Sequence, residues 1–507
     1  MSRSKAATPR KLKIAARKGR RIPAFSFSTA LPLLRRDPII KAVAGFGAKS
    51  SGDVFLVGGV LRNISLSLKL PLDYDFVVSG GQAAARLLAK KMAGCFDASA
   101  FVIDKESGGH RVVIKEPSGR ITVDITPLNG VSIRQDLKSR DFTINALAVN
   151  LKDLFNQSVT PIDPCKGLAD AQLNILRAVS RRVFDDDPLR VMRAVRLSQQ
   201  YGLKVERETA ARIKKKAAFL SSVSAERIRE ELLTMFSLDG TSGSVIKMYD
   251  LGIIKAFAPE LAGWKNVGGY GLLEYSIKAL DEAERLVNGI SEKTFPGAFQ
   301  ELKTHFSSSV GPVKRAALFK LSAFLHDTGK ALTISREEGV LRFTGHDKKG
   351  AEAVRVLLKR LRFGGGAVRL IAGLTENHHR VFDFARLKNP SFRAKAHLMR
   401  SAQMQGCGGA VDLLCLSLSD ARATRGSEDK KLLGIVRGLI LFYYGVFSKE
   451  TPGPVLDGRE IMKVFNIGEG RLIGEMMRII DKGVEAGVIK NKKDAIACAK
   501  KLLKDAD

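Results

Sequence analysis

Apolar and polar positions change period several times along the chain, and each change marks an element. Residues 53–60 are a mostly apolar run interrupted by Gly58-Gly59, which predicts a strand, a tight turn and a helix start. Tyr74–Val78 predicts a second strand, entered through Asp73. Gln82–Ala93 reads as a helix, and Phe101–Ile103 and Arg111–Lys115 read as strands around a turn with Gly108-Gly109. Arg120–Thr126 alternates strictly, so Ile121, Val123 and Ile125 face a core while Thr122, Asp124 and Thr126 face out. Asp136–Ala148 predicts entry into a helix, with Arg140, Asp141 and Asn145 at its start. Another helix is predicted from Asp187, a suitable N-cap ahead of Pro188, to Gly202. Beyond residue 203 the pattern is helical. The fold class expected is α+β, a head of mixed sheet and helices followed by an all-α remainder. The divisions expected are an arm at 1–36, a head at 37–180, neck helices at 181–262, a helical domain at 270–430 and a helical tail at 431–507.

Composition adds a partner. A chain of 507 residues is too long for one core. Its 84 Lys+Arg against 52 Asp+Glu give a net charge of +32, which favours a polyanion, nucleic acid first and an anionic membrane surface second. No apolar run is long enough to span a bilayer; the longest, Leu432–Phe447, is broken by Gly434, Arg437 and Gly438. Residues 1–36 lack Asp and Glu, and nine Lys/Arg fall within Met1–Arg21. A flexible arm that binds phosphates is preferred over a presequence of similar composition. Five cysteines without a CxxC pair read as reduced thiols, so a cytoplasmic location is expected.

Candidate chemistry begins at Asp73 and Asp75, which lie two apart on a strand and so share a face. Two adjacent carboxylates stay ionised when a cation sits between them, and hard oxygen ligands suit Mg²⁺ together with substrate phosphates. Gly58-Gly59 lets backbone N–H groups approach a triphosphate, and Arg62 adds a fork for its oxygens. Asp124 is a third candidate carboxylate, although a solvated strand aspartate would look the same. Arg190, Arg193 and Arg196 recur every three residues in an otherwise apolar helix, which favours a cavity-lining stripe over a solvated face.

Together these motifs resemble the head and neck of class II tRNA nucleotidyltransferases and poly(A) polymerases. The resemblance spans residues 53–250 and rests on Gly58-Gly-x-x-Arg62, Asp73-x-Asp75, Asp136-Leu-x-x-Arg-Asp-Phe-Thr-Ile-Asn-Ala146 and Asp187-x-x-Arg190, in the family's order. The chain departs from the family in having Asn63 after Arg62 and Ser139 before Arg140. Only eleven residues, Ile125–Gln135, separate Asp124 from Asp136, where some members carry a longer loop linked to switching from C to A addition.

The resemblance implies template-independent transfer of CMP and AMP from CTP and ATP to the 3′ end of tRNA, with release of pyrophosphate. Asp73 and Asp75 would hold two Mg²⁺ ions, with Asp124 as a further catalytic carboxylate. Gly58, Gly59, Arg62 and Arg140 would hold phosphates, Asp141 and Asn145 the sugar side, and Asp187 with Arg190 the base edge, beside Arg193 and Arg196. A poly(A) polymerase, or an enzyme adding only CC or A, is the alternative within the class.

Farther on, Phe324–Lys330 carries His326-Asp327-Thr-Gly, which resembles the HD phosphohydrolase motif. That resemblance implies a second divalent ion (Mn, Ni, Fe or Mg) on His326, Asp327, His346, His378 and Asp420, with His379 as the alternative to His378. Tyr275 is the nearest residue to the place of the usual upstream histidine. An HD hydrolase with an inactive head is the alternative of another class. The C-terminal stretch from Gly453 weakly resembles the RNA-side helices of bacterial members.

Overall fold

The computed structural model describes residues 27–47, 52–104, 106–116, 119–155, 159–403, 408–448, 456, 458–468, 470–485, 488–489 and 491–504. It divides into two compact units, Met1–Lys216 and Ala217–Asp507.

The first unit is built on a six-stranded sheet of β1 (Val54–Val57), β2 (Asp73–Val78), β3 (Ser99–Asp104), β4 (Gly109–Glu116), β5 (Gly119–Pro127) and β6 (Ala148–Asn150). Their order is β3-β4-β5-β2-β1-β6. Only β2 and β5 run parallel; the other neighbours are antiparallel. Leu56, Tyr74, Phe76, Val78, Val123 and Ile125 pack on one face against helices Pro38–Gly47 and Gly81–Cys95. Phe55, Val57 and Val77 pack on the other face against Ile133, Leu137 and Ala146. With both faces covered, β1 has to be apolar at every position, and it is.

The predicted strands are all present, with moved ends. The first stops at Val57, because Gly58 takes φ +69° and the helix Gly59–Ser65 starts immediately after it. The predicted helix over 136–148 is not formed. A short helix, Ile133–Lys138, ends before Arg140; a single 3₁₀ turn covers Thr143–Asn145; and β6 follows. Phe142, Ile144, Ala146, Leu147, Ala148 and Val149 are all buried, so the run has no polar face to leave in water. Pairing Ala148–Asn150 with β1 satisfies that backbone in the sheet instead. The expected arm also ends sooner than residue 36, since Phe27–Arg36 is helical and Leu31 and Leu34 join the head core. The basic residues of Met1–Arg21 lie outside the described residues.

Helix Arg190–Tyr201 buries Val191, Met192, Ala194, Val195 and Leu197 and ends on Gly202 in the left-handed region. Asp187 acts as its cap: Oδ1 accepts from the Leu189 N–H (3.1 Å) and its carbonyl accepts from the Arg190 N–H (3.1 Å). Regular α geometry begins at Arg190 because the turn before it closes over three residues.

In the second unit, helix Arg315–Leu325 is buried at every position but Ala316. It packs with Leu272–Asn288, Gly365–Asn377 and Ala410–Arg425, while His346–Arg360 lies against Gly365–Asn377. Trp264 is fully buried and its ring meets Phe324. Helices Gly458–Phe465, Arg471–Glu485 and Lys492–Lys504 share a smaller core of their own around Ile461, Met476 and Ile480. Among the described residues no helix is long and apolar enough to cross a membrane.

One glycine fixes how the 3₁₀ turn sits. Helix Gly167–Gln172 lies against it; Asp163 caps the helix, and Asp170 accepts from the Thr143 hydroxyl (2.7 Å). A Cβ on Gly167 would lie 2.0 Å from the Thr143 carbonyl oxygen. Gly167→Ala is therefore expected to cost about 1–3 kcal/mol as overpacking. Chemical denaturation measures it; an unchanged midpoint would show that the turn is free to move.

Candidate active site

Strand register places the carboxylates. Asp75 is the direct partner of Asp124 across the parallel β2–β5 pair, and Asp73 lies two residues before Asp75. All three face one cavity of about 710 Å³, while Tyr74 and Phe76 point into the core. Gly58 forms the floor: a Cβ there would lie 3.1 Å from Asp75 Oδ2 and 3.3 Å from Arg140 Nη1. Gly58 thus serves both a positive φ and a close approach. Burial pushes the Asp75 carboxyl above its ordinary value and Asp124 adds to this, against Arg140 and the Gly59 N–H. A half-buried carboxylate crowded by two others is a fit for a hard divalent cation, which would relieve both the desolvation and the repulsion.

The same cavity takes in Gly59, Arg62, Arg140, Asp141, Asn145, Arg190, Arg193 and Arg196. Of the head residues expected from the sequence, Asp187 is the one outside its lining. Arg190, Arg193 and Arg196 line it from one face of their helix, as their spacing predicts.

Three residues of the site were missed from the sequence. Arg111 holds Asp124 in a fork, Nε to Oδ1 and Nη2 to Oδ2, both 2.7 Å. It sits opposite Asp124 across β4–β5, so a cross-strand charge pair was the available signal. Tyr201 accepts from Arg62 Nη2 (2.6 Å), and the Arg62 guanidinium carbon lies 4.4 Å from that ring's centre. Asn63 accepts from Arg62 Nε (3.3 Å) and Nη2 (3.1 Å) and donates to the Lys69 carbonyl (3.0 Å). An aspartate could not make that last bond, which gives the Arg62-Asn63 departure a physical role.

A partly buried chain of hydrogen bonds links Arg62 to the arginine helix. Asp141 Oδ1 accepts from the Phe142 N–H (2.7 Å) and Asn145 Nδ2 (2.9 Å), and its Oδ2 pairs with Arg193 Nη1 (3.3 Å). Asn145 Oδ1 in turn accepts from Arg62 Nη1 (2.8 Å). Both Asp141 oxygens are thus engaged within the protein. Arg140 Nε reaches back to Asp136 Oδ1 (3.1 Å).

The second unit gathers the other predicted cluster. His326 and His378 each stand one residue past a helix end, and His346 begins a helix. Each turns Nδ1 to the carbonyl three residues back: Ala323 (2.9 Å), Phe343 (2.7 Å) and Thr375 (2.7 Å). That bond fixes the tautomer and leaves Nε2 to face inward. The three Nε2 atoms surround Asp327, with Asp420 on the His326 side and His379 on the His346 side. Gly329 makes room, since a Cβ there would lie 1.8 Å from the His346 carbonyl oxygen. Burial works against the Asp327 charge, but His326, Lys330 and His378 hold its carboxyl well below the ordinary value. His326 Nε2 and Asp327 Oδ1 are buried without a hydrogen-bond partner, and such a donor set fits a metal ion.

Asp141 yields an acid-dependence prediction. Burial raises its carboxyl, but Arg193, Asn145, the Phe142 N–H and Arg190 outweigh it, so the folded value is depressed. Its stabilisation is complete above the unfolded value of about 3.9 and is lost as pH falls through the folded value. The stability difference between the parent and Asp141→Asn is expected to be about 1–3 kcal/mol near neutrality. Denaturation between pH 3 and 6 should show it shrinking in acid; a gap that widens there would refute the depressed carboxyl.

Comparison with known proteins assigns the family. The model of the poly A polymerase head domain matches residues 54–177. That of the probable RNA and SrmB-binding site of polymerase A matches 202–265, and that of the HD domain matches 301–405. The chain is 28% identical over 452 residues to an A-adding tRNA nucleotidyltransferase of Deinococcus radiodurans, covering 87% of this chain and 94% of that one. It is 28% identical over 462 residues to a CC-adding tRNA nucleotidyltransferase of Geobacter sulfurreducens, covering 90% and 94%. The fold is similar to that of a CCA-adding enzyme in an apo form, with a TM-score of 0.58 and 20% identity, covering 92% of this chain and 96% of that chain. Nucleotidyltransferases and HD proteins of these kinds generally use divalent metals. The chain belongs to the class II tRNA nucleotidyltransferase and poly(A) polymerase family and carries an HD domain C-terminal to its RNA-binding helices.

Proposed function

We propose that the first unit transfers CMP and AMP from CTP and ATP to the 3′ end of tRNA, without a nucleic-acid template, and releases pyrophosphate. The observation that carries this is the facing of Asp73, Asp75 and the arginine stripe across one cavity floored by Gly58-Gly59. Mg²⁺ held by Asp73 and Asp75 would supply the charge that activates the attacking hydroxyl and steadies the leaving triphosphate. Gly58 lets backbone come close to the phosphates, and Arg62, held by Asn63, Asn145 and Tyr201, offers them a positioned guanidinium. Asp141 acts through others, orienting Asn145 and Arg193. Arg111 holds Asp124 turned to the same wall.

Base choice falls to Asp187 and Arg190. Cytosine and adenine both present an amino donor beside a ring-nitrogen acceptor, which a carboxylate and a guanidinium complement. Uracil and guanine present a carbonyl where that amino group would be. Arg190 Nη1 and Nη2 make long bonds to the Val183 (3.3 Å) and Ser139 (3.4 Å) carbonyls and its Nε has no hydrogen-bond partner, so a base edge would compete with weak contacts. In the ligand-free protein Asp187 caps its helix, so binding of a base would draw on the same carboxylate.

The relatives include A-adding, CC-adding and CCA-adding proteins, and the spacer of eleven residues before Asp136 bears on the same distinction. We propose addition of C, C and then A. A tRNA lacking its 3′ CCA should accept all three, and Asp75→Ala should reduce incorporation to background while tRNA binding persists. Near-parental turnover by Asp75→Ala would overturn the metal reading. Arrest after two C, or use only of a CC-ended tRNA, would assign a partial enzyme, and long A tracts on generic RNA would assign a poly(A) polymerase.

Asp187→Ala separates base reading from capping. Base reading predicts that use of UTP or GTP rises relative to CTP and ATP, with about 1–3 kcal/mol at stake per contact. If all four nucleotides fall by one factor in a folded variant, Asp187 is a cap alone.

In the second unit, the His–Asp cluster is proposed to hold a divalent ion (Mn, Ni, Fe or Mg), independently of the head. A cytoplasmic location goes with a tRNA substrate and with four described cysteines that are free thiols.

A further inference from the structure

Asp75, Asp124 and Arg111 stand in one row across strands β2, β5 and β4. Neighbouring strands lie about 4.8 Å apart, so Asp124 is one spacing from Arg111 and Asp75 is two. The guanidinium takes the nearer acid by both oxygens: Nε donates to Oδ1 and Nη2 to Oδ2, each at 2.7 Å. Two parallel bonds from one guanidinium fix a carboxylate in direction as well as in place. The bond to Asp124 raises the Arg111 guanidinium above its ordinary value, and the charges of Asp124, Asp73 and Asp75 add to this against burial. Arg111 therefore stays charged beside all three acids.

The other two acids are placed differently. Asp75 is met by Arg140 and by the Gly59 N–H. Asp73 lies at the exposed start of its strand. Mg²⁺ is usually held by one or two carboxylates together with substrate phosphates, and Asp73 with Asp75 already makes two. The alternation of β5 turns Asp124 toward the same cavity, but the fork from β4 decides what it can do there.

We propose that Arg111 is a positioning residue that withholds Asp124 from the catalytic ion, leaving Asp73 and Asp75 as the protein's carboxylate ligands. The proposal rests on the reading of the head as a nucleotidyltransferase site. Without the guanidinium, Asp124 is the direct neighbour of Asp75 and free to become a third ligand. The ion would then be held more tightly by the protein and less by the triphosphate.

The test measures ion binding and not turnover. The full chain is titrated with Mn²⁺ in the presence of a CTP analogue bridged by an α,β-methylene group, and free Mn²⁺ is read by electron paramagnetic resonance. The same titration of a chain with Asp73→Asn and Asp75→Asn gives the ions bound elsewhere and is subtracted. Arg111→Met should tighten the head ion about tenfold, because affinity follows the number of charged ligands. Arg111→Lys keeps the charge but lacks the planar fork, so it should tighten the ion by less. Arg111→Met combined with Asp124→Asn should return to the parent value. Circular dichroism checks that each variant is folded. Weaker or unchanged binding in folded Arg111→Met, or Arg111→Lys equal to the parent, would overturn the proposal. So would a double variant well below the parent, which would make Asp124 a ligand already. A parent that holds no more Mn²⁺ than the chain with Asp73→Asn and Asp75→Asn would overturn the reading of the head, and the proposal with it.

Discussion

Repulsion among carboxylates on one sheet face is the constraint around which the head is built. The parallel register of β2 and β5 sets Asp75 directly beside Asp124, with Asp73 on the same side. Such crowding is unfavourable unless positive charge is near, and the protein supplies it from three directions. Arg111 forks onto Asp124, Arg140 lies beside Asp75, and Arg62 approaches from the helix after the glycine turn. Of these cations Arg111 holds its acid directly, through both oxygens of Asp124. Gly58 makes the arrangement spatially possible, because any larger residue would occupy the space against the Asp75 carboxylate.

The same logic extends outward. Arg62 is itself held, by Asn63 and Asn145 and against Tyr201, and Asn145 is held by Asp141, which pairs with Arg193. The Arg62 end of the cavity and the helix that carries Arg190 are therefore parts of one hydrogen-bonded body within the first unit. A mostly buried network of this kind is stabilising only when its members are satisfied, and here each acceptor on Asp141 has a donor.

In the second unit the same problem has a different solution. Asp327 is fully buried, and three imidazoles are turned toward it by backbone carbonyls. The close approach of Gly329 to the His346 turn lets the HD segment and the following helix meet, which a side chain at 329 would prevent. Lys330 then brings a permanent charge to the carboxylate.

The sequence by itself determined the strand faces and the identity of the head's chemistry. Period-two alternation placed Ile121, Val123 and Ile125 inside and Asp124 outside, and the spacing in Asp73-x-Asp75 required a shared face, because both follow from local backbone geometry. The arginine stripe followed from the helical repeat in the same way. Tertiary structure decided what local periodicity does not encode. Residues 142–149 became a 3₁₀ turn and an edge strand because β1 offered a backbone partner and both sides of the run were buried. Arg111, Asn63 and Tyr201 entered the site through partners 13, 1 and 139 positions away, and of these only the first could have been foreseen from strand pairing. Tyr275 was picked out from sequence only as the nearest residue to a missing histidine. Its bond to Asp420 spans 145 positions, and only the packing of helix Leu272–Asn288 against Ala410–Arg425 brings the two together.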